Sequence, residues 1–262
     1  MVPLAWRLST AQWDLLTETL QLERYPAPIQ VRSHGRTAAE RGRIRADVSE
    51  QLRRLQLMRG GRVDADLEAA MRLLHRPASW LDSVWLADPA ADQPVRVLAA
   101  RSGTVAVCAL QDPDHEGTTL LDVIPVAAMA AAVVSRLPSH PPGRSPAATI
   151  ALASPERPAR GGGGGGVLVP AAPVRASSVR ERGAASAILD QSHVRAGQIA
   201  ANMRDCGRVR RSHVLRWCDN PDGRYQITVT AHRDDARSLT VTPCDPHCLV
   251  ESIQHLLDAL DC

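Results

Sequence analysis

The feature that most constrains this chain is a pattern stated twice. Val95–Ala100, a Ser102-Gly103 turn, Val105–Leu110, a loop and Thr119–Ile124 lead into Pro125 and an apolar helix to about Leu137. Val214–Cys218, an Asp222-Gly223 turn, Tyr225–Thr230 and Leu239–Thr242 lead into Asp245-Pro246 and an apolar helix to about Leu260. Ile124-Pro125 matches Thr242-Pro243 at an offset of 118, and Gly103 matches Gly223 at 120. Strand–turn–strand units of this kind read as hairpins. Their recurrence predicts two halves joined in one pseudo-symmetric sheet. Such an arrangement points to a binding scaffold more readily than to an enzyme with one deep cleft.

The remaining elements follow from periodicity and punctuation. A helix is expected from Thr10, with Trp13, Leu16 and Leu20 on one face, and Ile29–Arg32 reads as a short strand. From Thr37 to about Met58 the stripe Ile44, Val48, Leu52, Leu55 marks a helix with an Arg-rich outer face, ended by Gly60-Gly61. Asp64 caps a second helix carrying Leu67, Met71 and Leu74, so the pair reads as a helical hairpin. A strand through Trp80–Ala87 puts Trp80 and Trp85 on opposite faces. Val179–Val194 reads as a helix and Gly197–Arg204 as a strand. The last helix is the sharpest expectation: Asp245 as N-cap, Pro246 at the first turn, then Leu249, Ile253, Leu256 and Leu260 inward. Residues 139–178, rich in Pro, Ala and Arg and holding the Gly161–Gly166 run, are expected to be a flexible linker or insertion. Residues 1–138 are expected to form the N-terminal half, helical hairpin plus strands, and 179–262 the C-terminal half completing the same sheet.

Composition narrows the function classes. Net charge is +3 across 262 residues, far from the charge density of an obligate nucleic-acid binder. Phe is absent, and every basic residue is Arg. No segment has the length and apolarity of a membrane span. The N-terminus lacks the pattern of an export signal, so a soluble cytoplasmic protein is expected. The six cysteines read as free thiols of a reducing compartment. Cys244, His247 and Cys248 lack the second close pair of a structural zinc site. The Gly run lacks the Lys-Ser/Thr and strand-to-helix setting of a phosphate loop.

Ser33-His34 and Ser212-His213 place hydroxyl beside imidazole, but neighbours on an extended chain point apart. A divergent Ser/His hydrolase therefore stays a second reading, and a small-ligand or nucleic-acid binding module a third. Arg208, Arg210 and Arg211 read as a solvated turn, a partner-binding cluster or a nucleic-acid patch. Asp112, Asp114 and Glu116 share one loop without the glycine-centred pattern of a calcium site.

Against this background the chain resembles the EspG family, cytosolic chaperones of type VII (ESX) secretion. The resemblance rests on ordered phrases: Gln12-Trp13, Val31 to Thr37 leading into an Arg/Glu-rich helix, and Leu73 to Pro77. They continue with Val95 to Ala100 before Arg101-Ser102-Gly103, then Gly197-Gln198-Ile199, Arg208 to Ser212, and Trp217 through Asp222 to Tyr225. Ile199 and Cys218-Asp219 depart from the family pattern. The resemblance implies an α+β fold whose central antiparallel sheet of two pseudo-symmetric halves is flanked by helices. It implies a non-enzymatic protein, without cofactor or metal, that binds the apolar helical tip of a PPE-type protein in a PE–PPE heterodimer. That role needs neither nucleic acid nor a membrane span, and the chain itself is expected to be a monomer or weak dimer. Partner contact is expected on the polar side of the 198–204 strand (Gln198, Asn202, Arg204), on the Asp112–Glu116 loop (Asp112, His115) and on the last helix. Arg208 and Trp217 complete the expected surface.

Overall fold

The computed structural model describes residues 5–23, 25–115, 117–152, 179–231 and 237–261. The Gly161–Gly166 run lies outside them. The fold is α+β, and among the described residues its centre is one eleven-stranded antiparallel sheet.

The N-terminal half contributes β1 (Ala5–Leu8), β4 (Ser79–Leu86), β5 (Val95–Ser102), β6 (Val105–Gln111) and β7 (Thr119–Ile124). The C-terminal half contributes β8 (Ala148–Leu152), β9 (Arg195–Asp205), β10 (Arg208–Arg211), β11 (Leu215–Asn220), β12 (Gly223–Ala231) and β13 (Arg237–Pro243). The order across the sheet is β1-β7-β6-β5-β4-β9-β11-β12-β13-β8, with β10 paired to β9. Read outward from the β4–β9 pair, both halves give the same sequence of elements. Asp82 stands opposite Ala200 in the middle of that pair, and the hairpin pair Ser102–Val105 recurs as Asn220–Gly223, each 118 positions on. The structural counterpart of Gly223 is therefore Val105 rather than Gly103.

This symmetry explains the main departure from the sequence reading. Ala148–Leu152 falls inside the expected linker, yet it pairs with β13 as the edge strand. It is the C-terminal counterpart of β1, which pairs with β7 on the opposite edge. Five residues among prolines are too short for a recognisable period, so only the edge of β13 reveals the strand. A second departure is Ile29–Arg32, which joins no ladder. The side-chain amide of Gln111 replaces a strand there: it accepts from Gln30 N at 3.0 Å and donates to Gln30 O at 2.7 Å.

Helices cover the sheet unequally. On one face α4 (Met129–Val134) and α6 (Pro246–Asp261) pack side by side over the middle strands. Their Met129, Val133, Leu249, Ile253 and Leu256 meet Leu81, Trp85, Val97, Ile199 and Trp217 in one core. Asp245 caps α6 as expected, its Oδ1 accepting from Cys248 N at 2.7 Å. On the other face α1 (Thr10–Thr19), α2 (Ala38–Arg54) and α3 (Ala65–His75) form a second core with Leu98, Ala100, Val107 and Leu121. Ser9 caps α1, through a reciprocal pair with Gln12. The expected turn between α2 and α3 is a small hairpin, β2 (Met58–Arg59) and β3 (Arg62–Val63). Its Gly60 and Gly61 both have positive φ, as a two-residue primed turn requires. Still on this face, α5 (Val179–Leu189) covers the far strands, where Ile188 packs with Cys218, Tyr225 and Val241.

Gly197 decides how the central strands meet on the α4/α6 side. It pairs with Trp85 on one neighbour and Trp217 on the other. The two indoles fill the space a side chain would take, with ring centroids 6.1 Å apart. A Cβ on Gly197 would sit 2.5 Å from Trp85 Cβ and 2.8 Å from Trp217 Nε1.

Candidate functional site

Between the α1–α3 layer and α5, the same face of the sheet is left open over β4, β9 and β11. Alternation along each strand sends one set of side chains to the α4/α6 core and the other to this opening. Val84 is half-buried and Gln198 and Arg216 are exposed; Val84 and Leu86 join none of the three apolar clusters. The register sets a row across five strands: Arg216, Gln198, Val84, Arg96 and Gln111. The row runs from open sheet into a cleft of about 900 Å³ lined by residues including Tyr25, His34, Asp92, Arg96, Asp112 and Pro113. The 87–95 loop and the Asp112–Asp114 turn form an adjoining hollow.

Near the opposite end of this strip stands a polar lock. Arg211 donates from Nη1 to Asp82 Oδ2 at 2.6 Å and from Nη2 to Oδ1 at 3.0 Å. It also donates to Asn202 Oδ1 at 2.9 Å, and Asn202 Nδ2 donates to Asp82 Oδ2 at 2.7 Å. Asp82 thus has its charge met by a bidentate guanidinium. At the cleft end, Tyr25 donates to Asp14 Oδ1 at 2.6 Å, and His34 N donates to Asp14 Oδ2 at 3.1 Å, fixing the 25–34 segment to α1. Burial, then the bond to Asp14, pushes the Tyr25 phenol up to about 12. Burial also lowers the pKa of Arg96 from its usual value.

The residues expected from sequence do not form one patch. Gln198 lies in the open row. Asn202 is buried in the polar lock, and Arg204 reaches Pro77 O at 3.4 Å near the far end. Arg208 is exposed on β10 opposite Asp205, also at that end. Asp112 is half-buried beside the cleft, where it accepts from Asp114 N at 3.1 Å. His115 closes the short turn Pro113–His115; its side chain lies outside the described residues. Trp217 is 1% exposed in the core beneath α6, so it offers a partner no surface. The last helix covers the face opposite Gln198, dividing the expected surface between two sides of the sheet. Both Trp80 and Trp85 pack, Trp80 toward the α1–α3 core and Trp85 toward the α4/α6 core.

Sequence reading missed Asp82, Val84, Arg96 and Arg216. Their signal was the polar phase of period-two strands: Arg96 between Val95 and Val97, Arg216 between Leu215 and Trp217. The serine hydroxyls of both Ser-His pairs are held by structural bonds rather than by their neighbouring imidazoles. Ser33 Oγ accepts from Arg41 at 2.7 Å, while His34 Nε2 meets Thr10 Oγ1 at 3.2 Å. Ser212 Oγ donates to His213 O at 2.7 Å and accepts from Ala201 N at 3.0 Å. Cys244 is buried, and burial pushes its thiol up to about 12; His247 points outward to Glu251 at 3.6 Å. No group of three His, Cys, Asp or Glu able to hold a metal occurs among the described residues.

The EspG family model matches residues 9–255, nearly the whole of both half-modules. This chain belongs to the EspG family. No curated protein matches the sequence. Among solved structures, the chain is similar to the Mycobacterium tuberculosis type VII secretion system chaperone EspG5, solved in complex with a PE25-PPE41 dimer. That likeness has a TM-score of 0.67 at 15% identity and covers 97% of each chain, so the EspG fold holds over essentially the full length. No helix among the described residues is long and apolar enough to cross a membrane.

Proposed function

We propose that this chain is a cytoplasmic, non-catalytic chaperone of type VII secretion. It holds the apolar helical tip of a PPE-type protein, within a PE–PPE pair, against the open strip of its sheet. The observation that carries the reading is that strip, bounded by helices on both sides, in a chain of the EspG family. A helix end fits such a trough by laying apolar side chains on Val84 and Leu86 while its polar flanks meet Gln198 and the cleft around Asp112. Asn202, Asp82 and Arg211 keep the floor rigid without spending their hydrogen bonds on the partner. Arg204 and Arg208 lie beyond the strip's end and serve as rim contacts at most.

The test is co-expression with a PE–PPE pair from the same source, followed by purification on a tag carried by this chain. Wild-type protein is expected to retain the pair. Gln198→Trp, which fills the trough at an exposed position, is expected to lose it while keeping the wild-type melting temperature. Failure of every such pair to co-purify, or full retention by Gln198→Trp, defeats the proposal.

A further inference from the structure

We propose that Arg96 and Arg216 form a two-point carboxylate site on the open face, selecting a helical segment that carries an acidic side chain on each flank of its apolar contact. The inference deepens the chaperone reading and rests on it.

The two arginines belong to the same transverse row, separated by Val84 and Gln198. Three strand steps of about 4.8 Å place their backbones roughly 14 Å apart. Neither guanidinium ion-pairs with a carboxylate among the described residues. Arg96 donates to Pro94 O at 3.0 Å and is half-buried at the cleft wall. Arg216 is exposed on β11. The acids nearby do not satisfy them: Asp82 is held by Arg211 and Asn202, and Asp92 and Asp112 line the cleft without pairing to Arg96.

The open face therefore presents two cations without an ion-pair partner around an apolar and amide centre, while Asp82 on the same face is held by Arg211 and Asp92 and Asp112 line the cleft beside Arg96. Guanidinium is suited to bidentate capture of a carboxylate, and a half-buried one gains most from it because less water competes. A helix with Glu at positions seven residues apart sets two carboxylates on one face, about 10.5 Å apart along its axis. The arginine side chains span the remaining distance, and Leu or Ala between the two Glu meets Val84.

The probe is a pair of synthetic helix-forming peptides with one Leu/Ala face. One carries Glu at two positions seven residues apart; the other carries Gln there. Each is titrated by fluorescence anisotropy into the wild-type chain, Arg96→Gln, Arg216→Gln and the double variant, at low and high salt. The Glu peptide is expected to bind wild type about tenfold or more tightly than the Gln peptide, from two charge-assisted contacts. Each single variant should reduce that preference, the double variant should abolish it, and salt should shrink it. Equal binding of the two peptides, no binding of either, or an unchanged preference in the double variant overturns the proposal. The peptide experiment is independent of co-purification. A PE–PPE pair retained by wild type alongside indifference to peptide charge removes this inference and leaves the chaperone function standing.

Discussion

Replacing Arg224 by Met should cost this protein a large part of its stability. Arg224 is 1% exposed and Asp219 is not exposed at all. The guanidinium donates from Nε to Asp219 Oδ1 at 2.7 Å and from Nη2 to Oδ2 at 2.8 Å, with a further bond to Pro138 O at 2.7 Å. It also lies 4.8 Å from the centre of the Trp217 ring. Met fills similar volume but leaves the Asp219 carboxylate with only Arg195 Nη1, at 3.2 Å, as a cationic partner. Removing one member of a buried pair costs about 3–5 kcal/mol, because the other charge is stranded. Losing the contact with Trp217 adds about 1 kcal/mol, and the surviving Arg195 offsets a similar amount. The net expectation stays at about 3–5 kcal/mol, against a total stability of about 5–15 kcal/mol for a typical domain. Urea unfolding followed by tryptophan fluorescence measures it directly, since Trp217 lies beneath the substituted side chain. The double variant Asp219→Leu/Arg224→Met, which removes both charges, should recover most of the loss. A single-variant loss below about 1 kcal/mol with an unchanged denaturant slope would refute the reasoning, by showing that water reaches Asp219.

Further outcomes follow from the same geometry. Gly197→Ala should destabilise by about 1–3 kcal/mol in urea melts, because its Cβ meets Trp85 Cβ and the Trp217 ring rather than a flexible chain end. Pairing it with Trp217→Leu should cost less than the two separate losses combined. In native protein Cys108, Cys218 and Cys244 should resist maleimide, since burial hides each thiol and raises it, to about 11, 11 and 12, whereas Cys206 should label first because it is exposed, although its bond to Asp205 raises its thiol too; mass spectrometry of pulse-labelled peptides reads this out. The Tyr25 phenol binds its proton more tightly folded than unfolded. Its contribution is whole below pH 10 and fades as pH rises through about 12, so wild type should lose stability across that window more steeply than Tyr25→Phe.

Several elements are legible from local patterning alone. The cap and stripe of α6, the duplicated hairpins and the polar outer face of α2 follow from residues a few positions apart. The repeat also implied that the two halves share a sheet, because half-modules of equal layout bury equivalent faces. Pairing partners leave no such local trace. Ala148–Leu152 is a strand because β13 offers it an edge, and Ile29–Arg32 is not one because the Gln111 amide satisfies its backbone. Trp217 is expected on the partner surface, but its strand phase, aligned with Gly197 and Trp85, turns it into the core. The open row of Arg216, Gln198, Val84, Arg96 and Gln111 draws on positions up to 132 residues apart, from β11, β9, β4, β5 and β6. Its existence depends on strand register, and register is fixed by long-range hydrogen bonding and by which face each helix layer leaves uncovered.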